Sequence, residues 1–299
     1  FFSFGERIQA QTILKPGDLM VVGVNTNLSG CGASGGEDEI SLGAFWDHGP
    51  GTEIHFTDNG WQRLNAGQWG NSEGFLVARR SATAPVIPAG TLIVFRFPSI
   101  PSADNPVNAT LPDNNWEFES LGLNNINLAA DGDQLYVMQG GIWDNGTATI
   151  SNQEQDAQYI GGTILFGFNT KSAWEDFTDA TSASGLHPDI ASCYHVEPVA
   201  GDVRYFSYQG PEDAATQFEW IDRITAPLNW TVFSDCESYQ QPNTTFALTP
   251  SDIGLNCTVC SGCGLVDEQL ILSLPASGGP FNVEFYNGVD TLEIQNVSD

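Results

Sequence analysis

Three sets of residues carry the chemistry this chain has to offer. The first is Cys257-x-x-Cys260-x-x-Cys263, three thiols at a spacing that suits zinc or an iron–sulfur cluster when a fourth ligand is supplied. No histidine stands near them, and with Cys31, Cys193 and Cys236 the cysteines total six, an even number that fits disulfides in an oxidising compartment. Disulfides among the six are therefore the expectation, with the pairing left open. The second set is acidic and amidic: Asp58-Asn59, Glu73 and Asp131-Gly132-Asp133 lie in turn-like stretches rich in oxygen donors. Calcium gathers six to eight such oxygens from loops, so these residues are candidate ligands and calcium is the one candidate cofactor. Asp and Asn also build Asx-turns with no ion, and neither an EF-hand nor a nonapeptide repeat is present. The third set is Trp61 and Trp69, in Gly- and Asn-rich surroundings, which form a candidate stacking platform for surface glycans or an anchor for a subunit.

Other catalytic patterns are weak. His48, His55, His187 and His195 are scattered, and HExxH, GxSxG and P-loop motifs are absent from the sequence. In Glu53-Ile54-His55-Phe56 the histidine is out of phase with the apolar pair, which predicts a sheet-surface position. Paired carboxylates such as Glu37, Asp38 and Glu39 would serve a secreted hydrolase only if they converged across a cleft. An enzyme is the least favoured reading.

The elements that must position these residues are strands. Ile40, Leu42, Ala44 and Trp46 alternate with small residues, and Glu53–Thr57 repeats the pattern after the turn His48-Gly-Pro-Gly51. Further strands are predicted over 18–24, 74–78, 91–97, 163–168, 203–208 and 228–233, with 131–140 beginning as a turn and continuing as a strand, a helix over 211–223 and a short helix or loop over 172–185. Many short strands between Gly, Pro and Asn turns predict an all-β chain, a β-sandwich. Gln240-Gln-Pro-Asn-Thr-Thr245 reads as a linker. The division is then an N-terminal arm over 1–16, a sandwich over 17–239, and a linker with the start of a second, incomplete β-domain over 240–299.

Charge narrows the partners. The chain has 37 Asp and Glu against nine Lys and Arg, a formal net charge of −28. Neutralising phosphates needs cations, so nucleic acid is not an expected partner, and the lack of an apolar run of about 18 residues predicts no membrane insertion. Phe1–Gln11 resembles the trailing edge of a secretory signal, with a small-residue cleavage site at Ile8-Gln9-Ala10. An apolar arm retained there would pack on a neighbouring copy or on its own domain.

A family resemblance runs through these stretches in order. Gly17-Asp-Leu-Met-Val-Val-Gly-Val-Asn25, Asp38-Glu-Ile-Ser41, Pro50 to Trp61, Glu73-Gly74, Ile87-Pro-Ala-Gly-Thr91, Gly132-Asp-Gln-Leu-Tyr136, Gly185-Leu-His-Pro188 and Asn229-Trp230 resemble the secreted lamin-tail-like β-sandwich modules of large Bacteroidota-type surface proteins. The segment from about 247, with Phe281-Asn-Val-Glu-Phe285, resembles the Ig-like repeats that follow such modules. The resemblance implies a lamin-tail/Ig-like architecture, an extracellular or cell-surface location and no catalytic residues. It departs from the family pattern at His187, where Pro is commoner, and in the cysteine-rich 257–263. The function expected is a structural or adhesive subunit of a surface appendage or filament, with copies of itself as partners; a calcium-dependent or carbohydrate-binding adhesin is the alternative.

Overall fold

The computed structural model describes residues 11–26, 38–62, 64, 67–97, 102–104, 114–129, 132–147, 155–171, 173–175, 183–191, 193–198, 204–242, 245–249, 254–257, 270–273, 281–286 and 291–297. Two compact units divide after Leu248. Described strands of the first are Leu19–Asn25 (β1), Glu39–Ala44 (β2), Glu53–Thr57 (β3), Trp61–Gln62 (β4), Gln68–Trp69 (β5), Phe75–Arg80 (β6), Leu92–Arg96 (β7), Ser102–Asp104 (β8), Trp116–Ser120 (β9), Gln134–Gln139 (β10), Ile142–Asp144 (β11), Gln158–Ile160 (β12), Thr163–Asn169 (β13), His195–Val196 (β14), Tyr205–Tyr208 (β15) and Trp230–Val232 (β16). Among the described residues one α-helix, α1, covers Gln217–Thr225.

Twelve of these strands form two sheets of six, in the orders β16-β15-β1-β2-β7-β8 and β14-β13-β10-β3-β6-β9. Pairing is antiparallel except for β13 with β14. Aromatic side chains join the sheets face to face: Phe56 of β3 meets Phe95 of β7 at 5.0 Å between ring centroids, and Phe168 of β13 meets Phe206 of β15 at 5.8 Å. This is a β-sandwich, and its interior apolar positions follow the period of two.

Both sheets are also covered on the outside. All seven residues of β1 and all six of β10 are buried, a pattern that a half-solvated strand does not produce. Over the first sheet lies an aromatic layer in which Trp220 of α1 meets Phe45 at 6.1 Å and Phe246 at 5.3 Å. The helix starts at a capping box: Thr216 Oγ1 accepts from the Glu219 amide while the Thr216 amide donates to Glu219 Oε2. It therefore begins six residues later than the predicted 211. Over the second sheet lies a separate core of Trp61, Trp69, Phe75, Val77, Tyr136, Met138, Trp143, Ala157, Ile164 and Ile190.

Two sequence expectations need correction here. The boundary expected at 239/240 falls at 248/249: Phe246 is buried and its amide donates to Gly90 O, so 245–248 go with the first unit. Trp46 does not continue the buried face of β2, because the strand ends at Ala44, after which Phe45 turns inward and Trp46 stands 54% exposed. Residues 1–10 lie outside the described residues, and Thr12 and Leu14 are tied to the sandwich through Gln139. In the second unit the described residues contain two antiparallel pairs, Gly254–Cys257 (β17) with Leu270–Ser273 (β18), and Phe281–Tyr286 (β19) with Thr291–Val297 (β20).

Candidate functional site

Sheet topology brings three of the acidic candidates together. Strands β10, β3 and β6 are adjacent and antiparallel, with Thr57 opposite both Tyr136 and Phe75. Asp58, one residue past β3, must therefore lie beside Gly74 and Glu73, just before β6, and near Asp133, just before β10. From the other sheet comes Asp38, immediately before β2. Asp38, Asp58 and Asp133 are 2%, 1% and 0% exposed.

A buried carboxylate needs donors, and backbone amides supply them. Asp58 Oδ1 accepts from the Gly74 amide at 2.7 Å and Oδ2 from the Asn127 amide at 2.7 Å. Asp38 Oδ2 accepts from the Leu128 amide at 2.6 Å, and Asp133 Oδ2 from the Ala129 amide at 2.8 Å. Three carboxylates from three places in the chain thus hold three successive amides, 127, 128 and 129. Asp133 Oδ1 takes its own donor, the Gln134 amide, and Gln134 Nε2 donates to Asp58 O. Glu73 differs, since its Oε2 is buried with no hydrogen-bond partner.

Burial raises all four acids, and neighbouring carboxyls add to the rise of Asp38, Glu73 and Asp133. Asp38 and Asp58 are each pushed up to about 7, burial being the main cause, and Asp58 adds repulsion to Asp38. Asp133 stands well above the carboxylate range through burial and the charge of Asp58. Glu73 is pushed up to about 11 by burial and then by Asp133 and Asp58, while Lys171 pulls it and Asp133 down. Such a group exchanges protons as a set rather than residue by residue.

Among the described residues no three His, Cys, Asp or Glu side chains are placed to hold a metal ion. Asn59 is also occupied: Oδ1 accepts from the Glu73 amide, and Nδ2 donates to Thr57 Oγ1 and Gly74 O. Asp58, Asn59 and Asp133 point their oxygens at backbone amides. Asp131 lies outside the described residues.

Trp61 and Trp69 are partners in the β4–β5 hairpin, 7% and 2% exposed. Trp69 meets Tyr136 edge-on at 4.9 Å and stacks on His187 at 5.7 Å, and Trp61 meets that imidazole edge-on at 5.1 Å. Neither indole offers a face to a glycan, which corrects the platform expectation. The two rings belong to the second core because β4 and β5 fold their aromatic side onto the outer face of β6 and β10.

Sequence reasoning missed a relay on the same sheet. His55 is buried, its Nε2 lies 2.5 Å from Glu53 Oε1 and its Nδ1 lies 3.1 Å from the Tyr159 hydroxyl. Since the Gly141 amide donates to that hydroxyl, Tyr159 donates onward to Nδ1 and Nε2–H donates to Glu53. Glu53 also accepts from Arg79. Burial lowers His55 and outweighs the pull of Glu53, so the ring is neutral near pH 7. The available signal was the Glu-x-His spacing, which puts both side chains on one face of a strand.

Cys193 and Cys236 are disulfide-bonded. Cys257 closes β17, its side chain outside the described residues, as are Cys31, Cys260 and Cys263. Comparison with protein-family models, with curated proteins and with solved structures finds no match to this chain.

Proposed function

We propose that this chain is an exported structural or adhesive module, a non-enzymatic β-sandwich that works by associating with copies of itself at the cell surface. One observation carries the reading: the side chains best suited to chemistry are committed to holding the fold. Asp38, Asp58 and Asp133 hold backbone amides, His55 bridges Glu53 and Tyr159, and Trp61 and Trp69 fill a core. Disulfide-bonded Cys193 and Cys236 support an oxidising compartment, and the resemblance to lamin-tail-like surface modules supports the same location. The net charge of −28 suits a protein that stays dispersed until a specific contact forms.

The test is localisation with assembly. Antibody labelling of intact cells, together with sedimentation of the purified chain over a range of concentrations, is expected to give surface label and concentration-dependent association. Label confined to lysed cells, or a monomer at every concentration, contradicts the reading.

A further inference from the structure

Tyr159 stands opposite Trp143 in the β11–β12 hairpin, and both rings pack on Phe75 of β6. Phe75 stacks on Trp143 at 4.5 Å and meets Tyr159 at 6.0 Å, and Trp143 lies 6.2 Å from Trp69. Ring contacts therefore run without a break from Trp69 in the second core to Tyr159. Two turns fix the phenol in place, since a Cβ at Gly141 or at Gly162 would lie 2.3 Å from its ring. The Tyr159 hydroxyl accepts from the Gly141 amide at 2.9 Å and donates to His55 Nδ1 at 3.1 Å.

What sets this phenol apart is its acceptor. Tyr136 and Tyr208 donate to the carbonyl oxygens of Gly185 and Pro211, which take no proton near neutral pH. The indole N–H of Trp143 ends on Asn145 Oδ1, an amide oxygen equally unable to take one. Tyr159 faces a base within proton-transfer reach, because burial keeps His55 neutral and leaves Nδ1 able to accept. An imidazolium formed there is met by Glu53, 2.5 Å from Nε2, and Arg79 holds that carboxylate at 2.7 Å.

We propose that Tyr159 is a redox site, the place where a one-electron oxidation of the aromatic core comes to rest, with His55 as its proton acceptor and Glu53 as the positioning residue. An outer-sphere one-electron oxidant takes an electron from Trp69 or Trp143, and an electron from Tyr159 refills the indole. As it leaves, the phenol O–H bond breaks and the proton forms an N–H bond at His55 Nδ1. The products are the reduced oxidant, a neutral tyrosyl radical and an imidazolium paired with Glu53, so the one electron and the one proton are both placed. This chemistry does not depend on whether copies of the chain associate.

Flash oxidation of the full, disulfide-intact chain with photogenerated tris(bipyridine)ruthenium(III), followed by transient absorption and electron paramagnetic resonance, reads where the hole settles. In the wild type a tryptophanyl signal is expected to give way to a neutral tyrosyl signal, more slowly in D2O because a proton moves with the electron. Tyr159→Phe keeps the ring and loses the hydroxyl, and is expected to leave the tryptophanyl radical in place. Glu53→Gln, made alongside in case the first variant fails to fold, is expected to lower the ratio of tyrosyl to tryptophanyl radical at least about tenfold, the weight of one hydrogen bond to a charged group. A tyrosyl yield in folded Tyr159→Phe equal to that of the wild type overturns the assignment to Tyr159. A ratio unmoved by Glu53→Gln overturns the proton path, and a wild-type signal that stays tryptophanyl overturns both.

Discussion

Replacing Gly74 by alanine tests whether residues 124–129, a strap that crosses Gly74 at close range, are held where the structure places them. The added Cβ would lie 2.3 Å from the Ile126 nitrogen, 2.6 Å from the Asn125 carbonyl carbon and 2.7 Å from Ile126 Cα, all backbone atoms that no rotamer change can move aside. Ordinary contact begins near 3.4 Å, so the strap must retreat by about 1 Å. That movement stretches the amide bonds of Asn127 to Asp58 and Leu128 to Asp38, now 2.7 Å and 2.6 Å, out of hydrogen-bonding range. Bonds to charged groups contribute about 1.5–3 kcal/mol each, giving a loss of roughly 3–6 kcal/mol for the pair. Gly→Ala also stabilises by about 0.4–1 kcal/mol through the unfolded chain, which is too little to reverse the sign. Urea unfolding followed by tryptophan fluorescence should show the midpoint of the first unit falling by about 1 M or more, taking a slope of about 2–3 kcal/mol/M. A midpoint within about 0.3 M of wild type would refute the close crossing and the bonds that depend on it.

Stability should fall as pH rises from about 6.5 to 9, because Asp38, Asp58, Glu73 and Asp133 bind protons more tightly folded than unfolded: the contribution of Asp38 and Asp58 is gone just above their value of about 7, while those of Glu73, at about 11, and of Asp133 keep falling across the range. Below about 6.5 the trend should level, since His48, His55, His187 and His195 are held neutral by burial and lose stability on acidification; a melting temperature that climbs steadily from pH 6.5 to 9 contradicts the assignment. Trp69→Ala should cost about 3–5 kcal/mol by calorimetry or urea titration, as a core residue does, and a loss under about 1 kcal/mol would mean that the indole is free to serve a ligand. Thr216→Ala should cost about 1 kcal/mol by removing the cap of α1, and an unchanged midpoint would show that the helix does not depend on it.

How far the sequence was legible depended on whether a residue's surroundings are local. Strands β3 and β13 were predicted to within a residue of their ends because alternation and turn chemistry are both local. Strand β9, Trp116–Ser120, was not, since Glu117 and Glu119 give an edge strand the look of a loop. Trp46 misled because the period of two holds only while the strand lasts. The carboxylates misled for a different reason. Asp58-Asn59-Gly60 and Gly132-Asp133 have the composition of exposed turns, and only the β10-β3-β6 order carries them to one buried place. Burial was likewise hidden for His55, whose outward phase meets a second core, with Tyr159 and Phe75 against its ring.

Association with like copies is the central claim, and mass photometry of the native, disulfide-intact chain over a wide concentration range tests it most directly. The reading predicts discrete multiples of the 32.2 kDa chain that gain population with concentration. A single 32.2 kDa species at every concentration would contradict it.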